Sequence, residues 1–188
     1  MRVITGTARG RKLRDLPGLD TRPTTDKVKE SLFNIIQFDV EGRRVLDLFA
    51  GTGQLGIEAL SRGAAGCVFV DQSREAVKVI RENVEHTGFE KESRVVQGEA
   101  LSFLNTCRER FGVVLLDPPY QGELLDKVLF RLSEIDIVAE NGIIVCESGV
   151  EKVLPDLPKP YEQGREYRYG KIKLTLYHRR PHLEEANE

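Results

Sequence analysis

Residues 44–60, RVLDLFAGTGQLGIEAL, decide the fold. An apolar strand carrying Val45, Leu46, Leu48 and Phe49 runs into a turn with Gly51, Gly53 and Gly56, and the turn opens a helix through Leu55, Ile57, Ala59 and Leu60. A glycine-rich strand-to-helix turn lets backbone come close to a ligand. Asp47 lies inside the strand near its carboxyl end, where a buried acid is costly unless it meets a partner.

Outward from this block the pattern alternates. Strands are predicted near 44–49, 66–71, 94–97, 112–117 and 142–147, with helices at about 54–62, 73–87, 99–109 and 122–133. The strands are short and apolar almost throughout, as expected of strands covered on both faces. Repeated strand–helix units imply a parallel sheet with helices on both sides, an α/β fold. The rhythm breaks after the proline-rich loop VLPDLPKPYEQG. REYRY (165–169) and KIKLTLYHR (171–179) are separated only by the turn at Gly170, so they must pair antiparallel. Ahead of the block, residues 1–23 read as a basic, hairpin-like arm punctuated by Gly6, Gly10 and Gly18. An amphipathic helix follows, capped by Thr24 or Thr25 and carrying Val28, Leu32, Ile35 and Ile36. The domain body spans 24–180, and 181–188 form a polar tail.

Composition narrows the class. The 188 residues suffice for one well-filled domain, 40% hydrophobic and 31% charged, with no apolar run of membrane-spanning length. The basic N-terminus lacks an apolar segment behind it, so it is not read as a secretory signal, and cytoplasm is the expected compartment. Cys67, Cys107 and Cys146 are odd in number and widely spaced, and the three histidines show no ligand spacing, so no disulfide framework and no metal site is expected. A monomer is expected, since no uncovered apolar face stands out. The net charge of −2 conceals a polarity: residues 1–22 hold six basic side chains against two acids, and residues 165–180 hold six against one. Such clusters are the footprint of a nucleic-acid partner or simply of a solvated surface.

Gly51, Gly53 and Gly56 spell G-x-G-x-x-G, and Asp71 follows Gly51 by 20 residues at the end of the next strand, a spacing that fits a nicotinamide dinucleotide. An acid there grips two ribose hydroxyls in any adenosine-containing cofactor. Three features favour S-adenosylmethionine: Asp47, suited to the cationic amino group of a methionine moiety; a turn with no basic residue; and Asp117-Pro118-Pro119-Tyr120 at the end of the fourth strand.

That last motif supplies a chemistry. Two prolines remove two donors and stiffen the backbone, leaving acceptors pointing outward. The Asp117 carboxylate and the Pro118 carbonyl can receive both hydrogens of an exocyclic amino group, and Tyr120 offers a face for a base to stack on. An aromatic amine is a poor nucleophile because its lone pair is delocalised. Two fixed acceptors favour the pyramidal nitrogen that develops during attack. The same arrangement would serve the amino group of a guanine, adenine or cytosine, or of a protein glutamine. A nicotinamide oxidoreductase and a non-catalytic RNA-binding factor remain as readings of other classes.

VLDLFAGTG (45–53), VFVDQS (68–73), GEA (98–100) and DPPY (117–120), in that order and spacing, resemble the class I methyltransferases that act on exocyclic amino groups. With ITGTARGRKL (4–13), RPTTDKVKESLFNII (22–36), LDLFAGTGQLGIEALSRGA (46–64) and YRYGKIKLTLY (167–177), the chain to about Arg179 resembles the bacterial small-subunit ribosomal RNA methyltransferase D family. The resemblance implies a Rossmann-like seven-stranded sheet with an antiparallel last strand, and formation of N2-methylguanine in 16S rRNA or the small ribosomal subunit. It assigns Asp47, Gly51 and Gly53 to the methionine part of S-adenosylmethionine, Asp71 to the ribose, and Glu99 with Ala100 to the adenine. Phe49, Ala50 and Gln72 are expected to bind the cofactor as well, and Asp117, Pro118, Pro119 and Tyr120 are expected to be catalytic. Glu99 stands where the family usually has Asp. If the arm lies beside the catalytic edge, Arg9, Arg11, Lys12 and Arg22 would hold RNA phosphates while the target base is splayed into the pocket.

Overall fold

The computed structural model describes residues 1–16, 25–119 and 122–181. Arg22, Tyr120, most of the tail and the Pro17–Thr24 stretch lie outside them. The chain runs α1 (Asp26–Ile35), α2 (Gln37–Val40), β1 (Arg44–Asp47), α3 (Gln54–Ser61), β2 (Gly66–Asp71), α4 (Arg74–Thr87), β3 (Ser93–Gln97), α5 (Ala100–Thr106), β4 (Phe111–Leu116), α6 (Leu124–Glu134), β5 (Val138–Gly149), β6 (Tyr161–Tyr169) and β7 (Ile172–Arg179).

One seven-stranded sheet results, in the order β3-β2-β1-β4-β5-β7-β6. Its first five positions are parallel, and β7 pairs antiparallel with both β5 and β6. Six strands therefore point one way and the last in the chain points back. Alternation along each strand divides the core. Val45, Val113, Leu115, Ile143 and Val145 face α1, α3 and α4, whereas Leu46, Val114, Leu116, Ile144 and Cys146 face α5 and α6. Strands buried on both sides need apolar residues at every position, which is why the sequence shows runs instead of alternation.

Local chemistry sets the helix ends. Thr25 caps α1 by accepting the Val28 N–H, and Ser73 caps α4 by accepting the Ala76 N–H. α4 ends at Gly88 in the left-handed region. Element boundaries differ most from the sequence reading at β1, α5, β5 and β6. β5 runs from Val138 to Gly149, beyond the 142–147 expected, because it pairs with β4 from Val138 and with β7 to Gly149. β1 ends at Asp47, because the chain turns at Leu48 to enter the glycine loop. α5 stops at Thr106. β6 starts at Tyr161, inside the stretch read as a proline loop, because Tyr161 pairs with Arg179 directly after the last proline.

The first sixteen residues are fastened to the domain body. Val3, Ala8 and Leu13 are buried in the same core as α1 and α3. Only Arg2 and Lys12 form a β-bridge, so the hairpin is minimal. The fully buried Glu58 of α3 accepts the N–H groups of Ile4 (2.8 Å) and Thr5 (3.0 Å). Ser61 accepts from Ala8 N–H through its hydroxyl (3.0 Å) and from Thr7 N–H through its carbonyl (2.9 Å). The buried Lys29 of α1 donates to the Arg2 carbonyl (2.6 Å), and desolvation lowers its pKa against the opposing pull of Glu58 and Asp26. Asn83 of α4 is fully buried and joins Arg14 to the glycine turn, donating to the carbonyls of Arg14 (3.1 Å) and Thr52 (2.9 Å).

Cys67, Cys107 and Cys146 are buried and unpaired, and burial pushes all three thiols up. No helix among the described residues is long and apolar enough to cross a membrane.

Candidate active site

The carboxyl ends of β1, β2 and β4 meet along one edge, where open α/β sheets bind ligands. A cavity of about 1300 Å³ opens there. It is lined by Asp47, Phe49, Ala50 and Gly51 after β1, by Asp71 and Gln72 after β2, by Glu99 and Ala100 after β3, and by Asp117, Pro118 and Pro119 after β4. Eleven residues singled out from the sequence thus face one space. Gly53 does not line it: it caps α3 with φ +79° and is packed behind the turn.

The glycine turn is built from three constraints. Gly51 has φ +55°, and a side chain there would project into open space, so its backbone is bare toward the cavity. Gly56 lies so close to β2 that a Cβ would sit 2.2 Å from the Phe69 ring. Its N–H donates to Asp47 Oδ2 (2.9 Å), so one glycine both seats α3 on the sheet and orients the acid.

Asp47 is almost fully buried, and its Oδ1 has no hydrogen-bond partner among the described residues. Desolvation pushes its carboxyl up to about 7; the Gly56 N–H opposes the rise and the charge of Asp71 adds to it. An orphaned buried acceptor beside a bare backbone turn fits an incoming ammonium. Asp71 is differently held. Oδ2 accepts the Gly51 N–H and Oδ1 the Ser73 N–H, both at 2.8 Å, which braces the turn against β2 while leaving lone pairs for ribose hydroxyls. Glu99 occupies the N-cap position of α5 but makes no side-chain cap bond, so its carboxylate is exposed to the cavity.

A second cavity of about 450 Å³ adjoins the first, sharing Pro118 and Pro119 with it. Glu147, Ser148 and Gly149 at the end of β5 line it, with Leu125, Lys152 and Lys171. The two cavities share Pro118, Pro119, Gly149 and Lys171. Sequence reasoning missed Glu147, Gly149, Lys171 and Ile172, together with Met1, Asp15 and Leu16, which also line the larger cavity. They come from opposite ends of the chain. The basic run around Lys171 is the one signal the sequence offers, and it carries no position.

The arm does not place its tip at this edge. α3 and α4 run away from the catalytic edge, and the arm's tip docks at Ser61, the far end of α3. Arg11 donates to the His86 carbonyl near the far end of α4 (2.6 Å), and Arg9 is exposed nearby. Among the described arm residues, the beginning and the end reach the cavity: Met1 Sδ accepts from the Thr52 hydroxyl (3.2 Å), and Asp15 and Leu16 line the wall. The expected position of Arg9 and Arg11 beside the catalytic edge is thus corrected, because the carboxylate of Glu58 and the hydroxyl of Ser61 pull the tip toward the opposite rim.

The family model described as Conserved hypothetical protein 95 matches residues 1–178. YlbH of Bacillus subtilis, provisionally named an rRNA methyltransferase, is 40% identical over 183 residues, covering 96% of this chain and 100% of that protein. The Escherichia coli ribosomal RNA small subunit methyltransferase D is 39% identical over 181 residues, covering 95% of this chain and 90% of its own. The solved structure of yhhF from Escherichia coli superposes with a TM-score of 0.86 at 38% identity, across 96% of this chain and 98% of that one. The chain therefore belongs to the Conserved hypothetical protein 95 family, that of the ribosomal RNA small subunit methyltransferases D.

Proposed function

We propose that this protein transfers a methyl group from S-adenosylmethionine to the exocyclic N2 of a guanine in 16S rRNA, free or within the small ribosomal subunit. One observation carries the reading: Asp117, Pro118 and Pro119 face the same cavity as Asp47, Gly51 and Asp71. The same reading has it working in the cytoplasm as a monomer.

Asp47 holds the methionine ammonium, the bare backbone at Gly51 admits the cofactor closely, Asp71 takes the ribose hydroxyls, and Glu99 with Ala100 meets the adenine. The cofactor supplies an electrophilic methyl group on a sulfonium. The protein's own groups position the two reactants, stabilise the developing charge and take up a proton. Asp117 and the Pro118 carbonyl accept the two N–H bonds of the guanine amino group, aim its lone pair and favour the pyramidal nitrogen of the transition state. Holding donor and acceptor atoms in line removes most of the entropic barrier to a two-substrate reaction. The nitrogen becomes strongly acidic once methylated, and Asp117 is placed to take its proton. Tyr120 provides the stacking face, the arm's exposed Arg9, Arg11 and Lys12 hold phosphates at a distance from the reacting base, and Arg22 adds a further phosphate contact.

Nucleoside mass spectrometry of rRNA from cells lacking the protein tests this directly. Loss of N2-methylguanine at one position of 16S rRNA is expected, and an unchanged level would overturn the reading.

A further inference from the structure

Resting on that function, the smaller cavity explains how a guanine is chosen over other amino-bearing bases. We propose that Glu147 accepts the guanine N1–H and that Lys171 donates to its O6. Together they read the base edge next to the amino group being methylated.

The sheet register places the groups in order. Leu116 of β4 stands opposite Cys146 of β5, so the next step sets Glu147 beside Asp117, about one strand spacing of roughly 4.8 Å away. Leu115 and Val145 share a face, and alternation puts Asp117 and Glu147 on that same face. On the far side of β5, Gly149 pairs with Ile172, which leaves Lys171 at the lip of the same edge. Across β4, β5 and β7 the edge therefore reads acceptor, acceptor, donor. Guanine presents the complement along its Watson–Crick edge: N2 donors, an N1 donor and an O6 acceptor. Adenine, with its amino group held at Asp117, would turn an unprotonated N1 to the carboxylate and a C2–H to the lysine, so the acid would meet a lone pair and the lysine would find no acceptor.

Position supports the assignment. Glu147 ends the apolar run GIIVC of β5 and lines the smaller cavity at the same edge as Pro118 and Pro119. Lys171 is exposed, lines both cavities, and has no ion pair among the described residues, whereas its neighbour Lys152 is engaged by Asp126.

The test uses the full-length protein and small ribosomal subunits lacking the modification. A second set of subunits is rebuilt around 16S rRNA in which 2-aminopurine replaces the target guanine. 2-Aminopurine keeps the amino group and lacks both N1–H and O6. The unaltered protein should favour guanine by roughly 100-fold in kcat/KM. Glu147→Gln should lower transfer to guanine by roughly 100-fold and leave transfer to 2-aminopurine unchanged or higher, since an amide can donate to bare N1. Cofactor binding should stay within about twofold, because Glu147 lies outside the larger cavity. Lys171→Met, on an exposed turn where folding is not at stake, should cost about tenfold on guanine alone. A loss that falls equally on both bases for either variant, or guanine selectivity retained by both, overturns the proposal. Failure of the unaltered protein to form N2-methylguanine at all removes the function reading beneath it, which is a separate outcome.

Discussion

On the proposed function the two halves of the sheet carry out different parts of the work, and they are built differently. The β3-β2-β1 half, with α3 and α4, holds Asp47, Gly51, Asp71 and Glu99, all within one stretch of about fifty residues, and backbone N–H groups orient two of its acids. The β4-β5-β7-β6 half lines its side of the two cavities with residues 117–119, 147–149 and 171–172, brought together by the parallel β4–β5 pairing and the antiparallel return of β7. A cofactor used throughout a superfamily can be held by one local, repeated strand–helix unit. An acceptor that differs between enzymes is met by side chains recruited from distant segments.

Substitutions in one half should leave the other half's ligand untouched. Asp117→Ala should abolish methyl transfer, by about 1000-fold or more in kcat, while isothermal titration shows unchanged cofactor affinity. Near-normal turnover would break the division at its strongest point. Asp47→Asn should do the reverse, weakening cofactor binding by roughly 10- to 100-fold. Asp47 also gives a pH signature. Its carboxyl is raised in the fold to about 7 from 3.8, so its contribution to stability is fully present below 3.8 and is lost as pH rises through 7. The cofactor-free protein should therefore lose a few kcal/mol between about pH 4 and 8 in denaturant titrations, and Asp47→Asn should flatten that slope. Cofactor affinity should rise over the same interval, since the ammonium binds the ionised acid.

Smaller effects sharpen the role of the arm, which belongs to the first half by contact. Glu58→Ala removes the acceptor of two backbone N–H groups and a partner of Arg62, and should cost about 3 kcal/mol in unfolding free energy. Protease cleavage near the N-terminus should accelerate. Charge reversal of Arg9 and Arg11 together should lower RNA affinity severalfold at low salt and leave cofactor affinity alone. Equal RNA binding by mutant and parent would remove the arm's tip from the interface and leave the Lys171 turn as the basic contact.

Much of this is legible in the chain's local patterns. Strand–helix alternation, the glycine spacing and the strand-end acids are short-range signals, so the parallel sheet, the terminal hairpin and the placement of Asp47, Asp71 and Asp117 follow from them directly. Glu147 does not. It sits at the end of an apolar strand, and nothing in GIIVCES distinguishes a packed acid from one aimed at a ligand. The arm misleads for a related reason: its arginines mark it as basic, but Glu58 and Ser61, some fifty residues away, decide which rim it reaches.

The sequence by itself determined the fold class and the cofactor half, because those depend on periodicity and on spacings within single strand–turn–helix units. Only the tertiary structure decided what lines the β4–β5–β7 side of the edge, where the acceptor is proposed to bind. Strand order, β7 register and the docking of the arm are set by pairings between residues far apart in the chain, and no local pattern records which distant strand will lie alongside.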